Sequence, residues 1–199
     1  MPYTENLNVS QKKVIELIVK NLQKRGVTNK FMQAGILAEV SKEAVFKLVS
    51  ELGYGKTDNE RISTIFKSKL GKMSDAKLNT LKASYEAFFN AVYGGIYGNA
   101  ANEGYKYRGM GLNGVTFKDN YQAMSKYTES EIVGNQHLLN ELPIAVDVLA
   151  GYFLNNFQKG AKLSEYNMTS INDAKSLEDI VGAAYHPNEG WGNCLATLK

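Results

Sequence analysis

Apolar residues recur at helical spacing along much of this chain. Val14, Ile15, Ile18 and Leu22 fall three and four positions apart, Ser10 is a suitable N-cap, and Gly26 supplies a stop, so the pattern predicts a first amphipathic helix. A second helix is predicted from Thr28 or Asn29 to about Glu43. Phe31, Ala34, Ile36, Leu37 and Val40 make it largely apolar, the mark of a buried central helix. Residues 44–72 are less regular, punctuated by Gly53, Gly55 and Gly71. After Ser74 the stripe Leu78, Leu81, Tyr85, Phe88, Phe89 and Val92 predicts one strong helix, stopped by Gly94 and Gly95. Pro143 suits the first turn of another helix, with Ile144, Val148, Leu149, Tyr152 and Phe153 facing one way. A last helix is expected near Ser176 to Tyr185, carrying Leu177, Ile180, Val181 and Ala184, before a turn-rich tail from His186 to Gly192.

Residues 94–121 break the rhythm. They hold seven glycines, several tyrosines and almost no aliphatic periodicity, which reads as a long, ordered, functional loop region. No repeat, low-complexity stretch or interdomain linker divides the chain, so a single mainly α domain over residues 1–199 is expected. Its 199 residues, 44% of them hydrophobic, suffice for a substantial core.

Charge and cysteine content narrow the setting. A net charge of +3 favours approach to any polyanion but is far from that of a dedicated nucleic-acid binder, and no nucleic-acid partner is expected. Cys194 is the single cysteine, so no internal disulfide can form, which fits synthesis in a reducing cytoplasm. The segment Met1 to Asn8 is polar and Glu16 and Lys20 interrupt the first apolar run, unlike a signal peptide. No window approaches the roughly 18 apolar residues of a membrane span. Action outside the cytoplasm would require delivery by another agent.

Glu43 closes an apolar helix and Glu51 follows eight residues later. A carboxyl at a helix C-terminus, partly desolvated, is pushed toward its protonated form, as a general acid requires. A second carboxylate across a cleft can activate water. Spacing alone does not separate this from two solvated side chains, because twenty acidic residues make such pairs common. The stretch Gly109-Met110-Gly111-Leu112-Asn113-Gly114 matches G-x-G-x-x-G, yet it lacks the strand before and the helix within that a dinucleotide loop needs. Its glycines more simply permit close backbone approach. Tyr93, Tyr97, Tyr105, Tyr107 and Tyr121 suit either a sugar-stacking platform, with Asn99, Arg108 and Asn120 as polar partners, or the packing of an irregular loop. His137 and His186 lack metal-ligand spacing, so neither a metal nor a cofactor is expected, and His137 reads as a packing or surface residue.

Two segments are distinctive. Asn90-Ala-Val-Tyr-Gly-Gly-Ile-Tyr-Gly-Asn99 and Glu103-Gly-Tyr-Lys-Tyr-Arg-Gly-Met-Gly-Leu112 resemble the signature of glycoside hydrolase family 19, which includes chitinases and phage endolysins. Thr116, Asn120 and Tyr121 stand at the later positions of that signature. Gln33 through Glu43 resembles the helix ending in the family's acid, Ser50-Glu51 with Tyr54 and Arg61-Ile62 resembles the block holding its second glutamate, and Ile132-Val133-Gly134-Asn135 through Val146 resembles the start of its next helix. The similarity runs in order over roughly residues 30 to 155. It implies a lysozyme-like, two-lobed helical domain with a central catalytic cleft and long ordered loops. It further implies an inverting mechanism in which Glu43 is the general acid, Glu51 the general base and Thr116 a holder of the nucleophilic water, with the carboxyls roughly 6.5–9.5 Å apart. Tyr54, Tyr93, Tyr97, Asn99, Tyr105, Tyr107, Arg108, Asn120 and Tyr121 would line the substrate, Arg108 organising the cleft through charge-assisted hydrogen bonds. The chain departs from the family pattern at Lys42 (often His), Ala44-Val45 (a small Ser-Gly step), Met110 (Arg) and Gly114 (Gln).

Three functions follow as expectations. The first is a monomeric lysozyme-like hydrolase of peptidoglycan, reaching the cell wall or periplasm through a holin, a virion or a secretion machine. The second is a chitinase acting on poly-N-acetylglucosamine, although secreted plant-type chitinases usually carry disulfides. The third is a non-catalytic glycan-binding or structural virion protein that kept the fold.

Overall fold

The computed structural model describes residues 7–155, apart from the side chains of Lys42 and Glu43. The helix expected at 176–185, the turn-rich tail with His186, and Cys194 lie outside the described residues. Within them the architecture is mainly α, as expected, and it adds a single two-stranded sheet that the sequence pattern did not predict.

Helix α1 (Val9–Lys24) begins two residues earlier than its apolar pattern suggests. Its N-cap is Asn8 rather than Ser10. The Asn8 Oδ1 accepts from the Gln11 N–H at 2.9 Å while the Gln11 Oε1 accepts from the Asn8 N–H at 3.0 Å, a reciprocal box that satisfies two otherwise orphaned donors. Gly26 ends the turn in the left-handed region, as its position predicts. Helix α2 (Lys30–Ala44) starts at Asn29, whose side chain accepts from Phe31 and Met32. It is buried on nearly all sides: Met32, Ala34, Ile36, Leu37, Ala38 and Val40 are at most 1% exposed. Helix α8 (Leu142–Asn155), with Pro143 in its first turn, completes the main core against α1 and α2 through Ala145, Val146, Leu149 and Phe153.

The irregular stretch 44–72 contains β1 (Val49–Ser50) and the short helices α3 (Asn59–Ile65) and α4 (Lys67–Leu70). The single helix expected from Ser74 to Gly94 is two: α5 (Asp75–Lys82) and α6 (Tyr85–Tyr93). Ser84 breaks it, adopting an extended backbone and turning its hydroxyl to accept from the Ala87 N–H, so it caps a new helix instead of continuing the old one. The change of direction lets Leu78 join Phe88, Phe89 and Val92 in a separate core with Ile62 and Leu70.

The glycine- and tyrosine-rich loop then folds tightly on α6. A Cβ at Gly104 would collide with the Phe89 carbonyl, so only glycine allows this approach. The loop carries β2 (Met110–Gly111), antiparallel to β1 with Ser50 opposite Met110, and ends sooner than expected, at α7 (Lys118–Ser125). A third apolar cluster lies beneath it, built from Tyr107, Met110, Val115, Tyr121, Met124, Ile132, Leu139 and Val148. His137 is exposed on a 3-10 turn, Gln136–Asn140. No described helix is long and apolar enough to cross a membrane.

Candidate active site

The β1–β2 pair places Glu51 immediately after β1, opposite Gly109. The Glu51 N–H donates to the Gly109 carbonyl at 2.7 Å, and the Gly109 N–H returns a bond to the Glu51 Oε2 at 3.3 Å. From the other side, the Tyr93 hydroxyl donates to the Glu51 Oε1 at 2.9 Å and the Tyr54 hydroxyl to the same oxygen at 3.2 Å. Three donors from three segments thus fix one carboxylate. Burial, followed by the negative charge of Glu51, raises the pKa of both phenols, so each remains a donor at neutral pH.

Aromatic packing holds those donors. The Tyr54 ring stacks on Phe88 at 5.1 Å and meets Phe66 edge-on at 5.1 Å. Tyr93 stacks on Phe89 at 5.8 Å and meets Phe117 edge-on at 5.3 Å. Offset and edge-to-face pairs of this kind are the favoured aromatic geometries. The hydroxyl ends are therefore aimed by the small core of α3–α6, whereas the Gly109 N–H belongs to the sheet.

Arg108 braces the turn from outside. Its Nε donates to the Glu51 carbonyl at 3.2 Å, its Nη1 donates to the Tyr105 carbonyl at 2.9 Å, and its guanidinium lies 4.1 Å from the centre of the Tyr105 ring. Both of these hydrogen bonds go to backbone carbonyls.

Glu51 opens into a groove of about 260 Å³ lined by Val49, Ser50, Glu51, Gly109, Gly114 and Thr116. Thr116 bonds through its hydroxyl to the Gly114 carbonyl at 2.9 Å, and the Asn120 side chain holds the Thr116 carbonyl at 2.7 Å. A Cβ placed on Gly109 would lie 3.4 Å from both the Glu51 Oε2 and the Thr116 Oγ1, so the two oxygens flank one bare patch of backbone. A carboxylate and a hydroxyl facing the same space can share a water.

The structure thus brings together Glu51, Thr116, Tyr54, Tyr93 and Arg108, with Tyr105 behind Arg108. Other residues expected to line a substrate have different positions. Tyr107 and Tyr121 are 1% and 0% exposed and meet edge-on at 5.2 Å in the core, so neither offers a face to a sugar; the loop-packing alternative describes them. Asn99 is buried, and both ends of its amide are occupied, by the Tyr93 carbonyl and the Lys118 N–H. It is a strut of the loop. Asn120 serves the Thr116 backbone. Tyr97 is 66% exposed and leans on Phe117, free to meet a ligand. Met110 is buried on β2 and packs in the core beneath the loop. Glu43 belongs to the last turn of α2, and its side chain is outside the described residues.

Sequence reasoning missed the Gly109 amide as a carboxylate donor, and Val49 and Ser50 as groove walls. The local signal was present in the Gly-x-Gly spacing, but the partner lies 58 residues away. Among the described residues no cluster of histidine, cysteine and carboxylate side chains could hold a metal.

No family model matches the chain. The chain is similar to a protein of Haemophilus influenzae named as a glycosyl hydrolase family 19 domain-containing protein, with 31% identity over 126 residues. That stretch covers 61% of this chain and 60% of the relative, so the chain spans under two thirds of that protein's length. Together with the mainly helical architecture, the similarity supports a relationship to the glycoside hydrolases in general, of family 19 type at most.

Proposed function

We propose that this chain hydrolyses β-1,4 glycosidic bonds of an amino-sugar polymer, peptidoglycan before chitin, by inversion. The observation that carries the reading is the Glu51 carboxylate, held by three donors and facing Thr116 across a groove that leaves room for water. In this mechanism Glu51 takes a proton from a water that Thr116 helps to place, and that water attacks the anomeric carbon. Glu43 protonates the departing glycosidic oxygen from the opposite face. Tyr54, Tyr93 and Gly109 keep the base oriented, and Arg108 keeps its backbone in place. Tyr97 offers aromatic surface to sugar rings. The net charge of +3 favours approach to an anionic wall polymer over neutral chitin.

The test compares the protein with its Glu51→Gln and Glu43→Gln variants on peptidoglycan sacculi and on chitin oligomers. New reducing ends from sacculi, absent with either variant, are expected, and the first product should carry the α anomer. Turnover of chitin oligomers alone would move the assignment to a chitinase. Sugar binding without products would replace the hydrolase with a glycan-binding protein, and a β anomer at early times would remove Glu51 from the water-activating role.

A further inference from the structure

Away from the groove, one buried side chain reaches the turn that follows Glu43. Gln11, on α1 and only 7% exposed, has both ends of its amide engaged. Its Oε1 accepts from the Asn8 N–H in the α1 cap, and its Nε2 donates to the Val45 carbonyl at 2.9 Å, across 34 residues. The cap fixes which end of the amide is which, so the donor must face Val45.

The turn it meets is strained. Val45 and Phe46 both lie in the left-handed region, with φ of 49° and 54°. A β-branched residue avoids this conformation, and such strain persists only where the surroundings over-determine it. Phe46, 2% exposed, is anchored in the main core. The Val45 N–H donates to the Ser41 carbonyl at 3.1 Å, closing α2, and the Lys47 N–H donates to the Ala44 carbonyl at 2.9 Å. Gln11 supplies the remaining hold, on the Val45 carbonyl.

We propose that Gln11 is a positioning residue for the general acid: by pinning this left-handed turn it fixes the backbone from which Glu43, two residues upstream, projects. The inference rests on the reading of Glu43 as the acid. Gln11 touches no substrate and performs no chemistry. Its capping duty needs only Oε1, and a glutamate at this position of a capping box serves equally well. The Nε2 donor is therefore the part committed to Val45.

That division supplies the discriminating variant. Gln11→Glu keeps the cap acceptor and replaces the donor with a carboxylate oxygen that repels the Val45 carbonyl. On sacculi, a cooperative thermal transition is expected with kcat reduced about tenfold, the scale of a sub-ångström misplacement, and KM within about twofold. Wild-type kcat in a folded Gln11→Glu protein overturns the proposal while leaving the acid assignment intact, whereas an active Glu43→Gln protein overturns the acid assignment itself. Should Gln11→Glu fail to melt cooperatively, Gln11→Met buries no charge but also gives up the cap acceptor, so rescue by Val45→Gly separates the two losses, and wild-type kcat in the folded variant overturns the proposal as before. Adding Val45→Gly, which relaxes the turn, should restore most of the lost kcat; a purely structural role for Gln11 predicts recovery of melting temperature without recovery of kcat.

Discussion

Gly109→Ala separates stability from activity at the candidate site. Gly109 is outside the left-handed region, and both of its hydrogen bonds with Glu51 are made by backbone atoms, so alanine can adopt the same conformation and keep both bonds. Loss of backbone freedom in the unfolded chain favours the variant by about 0.4–1 kcal/mol. Against this, the new methyl would sit 3.3 Å from the Gly114 carbonyl and 3.4 Å from the Glu51 and Thr116 oxygens, so these neighbours must yield by a few tenths of an ångström. The two effects are of similar size, and net stability should stay within about 1 kcal/mol of wild type. Activity responds differently, because the methyl occupies the space between base and hydroxyl where the water would stand. A misplacement of 1 Å can cost about 10²-fold, and displacing the water adds to it, so kcat should fall at least about tenfold. Thermal melting followed by circular dichroism, alongside release of reducing ends from sacculi, reads both quantities on one preparation. Undiminished kcat in Gly109→Ala would refute the placement of the water between Glu51 and Thr116.

Three further outcomes test neighbouring parts of the argument. Tyr93→Phe retains the ring packed on Phe89 and Phe117 but removes the 2.9 Å donor to Glu51, so kcat should drop about tenfold, the equivalent of about 1.4 kcal/mol, with little change in melting temperature; a large loss of melting temperature instead would make the hydroxyl structural. Tyr121→Phe removes a fully buried hydroxyl that has no hydrogen-bond partner among the described residues, so stability should rise by about 1 kcal/mol, or about 2–4 °C in melting temperature, and a fall would show that the hydroxyl is satisfied. Glu103, whose carboxyl accepts from the Ala100 N–H and then from Lys118, is held below its ordinary pKa of 4.5. The stability it contributes is present above that value and is lost as pH falls through the lower folded-state value. Glu103→Gln should therefore flatten the melting-temperature curve in acid, and an unchanged acid limb would deny the linkage.

Long, strongly periodic segments were legible from sequence. The stripes of α1 and α8 and the apolar α2 appear where their spacing put them, because each helix buries one continuous face or is buried throughout. Shorter elements were not. In α3 and α4, Ile62 and Leu70 are the only fully buried side chains, too few to show a period. The break at Ser84 was hidden because Leu78 and Phe88 keep helical spacing across it while facing the same core from two helices. The two-residue strands carry no alternation, and their pairing joins segments about 60 positions apart.

At the site, resemblance named Glu51, Thr116, Tyr54 and Tyr93, but not how they meet. The Tyr93–Glu51 bond spans 42 residues and depends on aromatic packing that composition cannot reveal. The tyrosine-rich loop shows the limit most plainly. Tyr97 and Tyr107 are ten residues apart in the same segment, yet one is largely exposed and the other sealed in the core.

Two of the three donors to Glu51 come from the small core of α3–α6, and the third comes from the sheet over a different core. The carboxylate is thus a joint between two separately packed halves, completed only when both have formed. During refolding, return of hydrolysis should follow whichever half consolidates last, even after bulk helicity has recovered. For the same reason, transplanting the glycine-tyrosine loop onto another helical scaffold would carry over one donor and leave the other two behind.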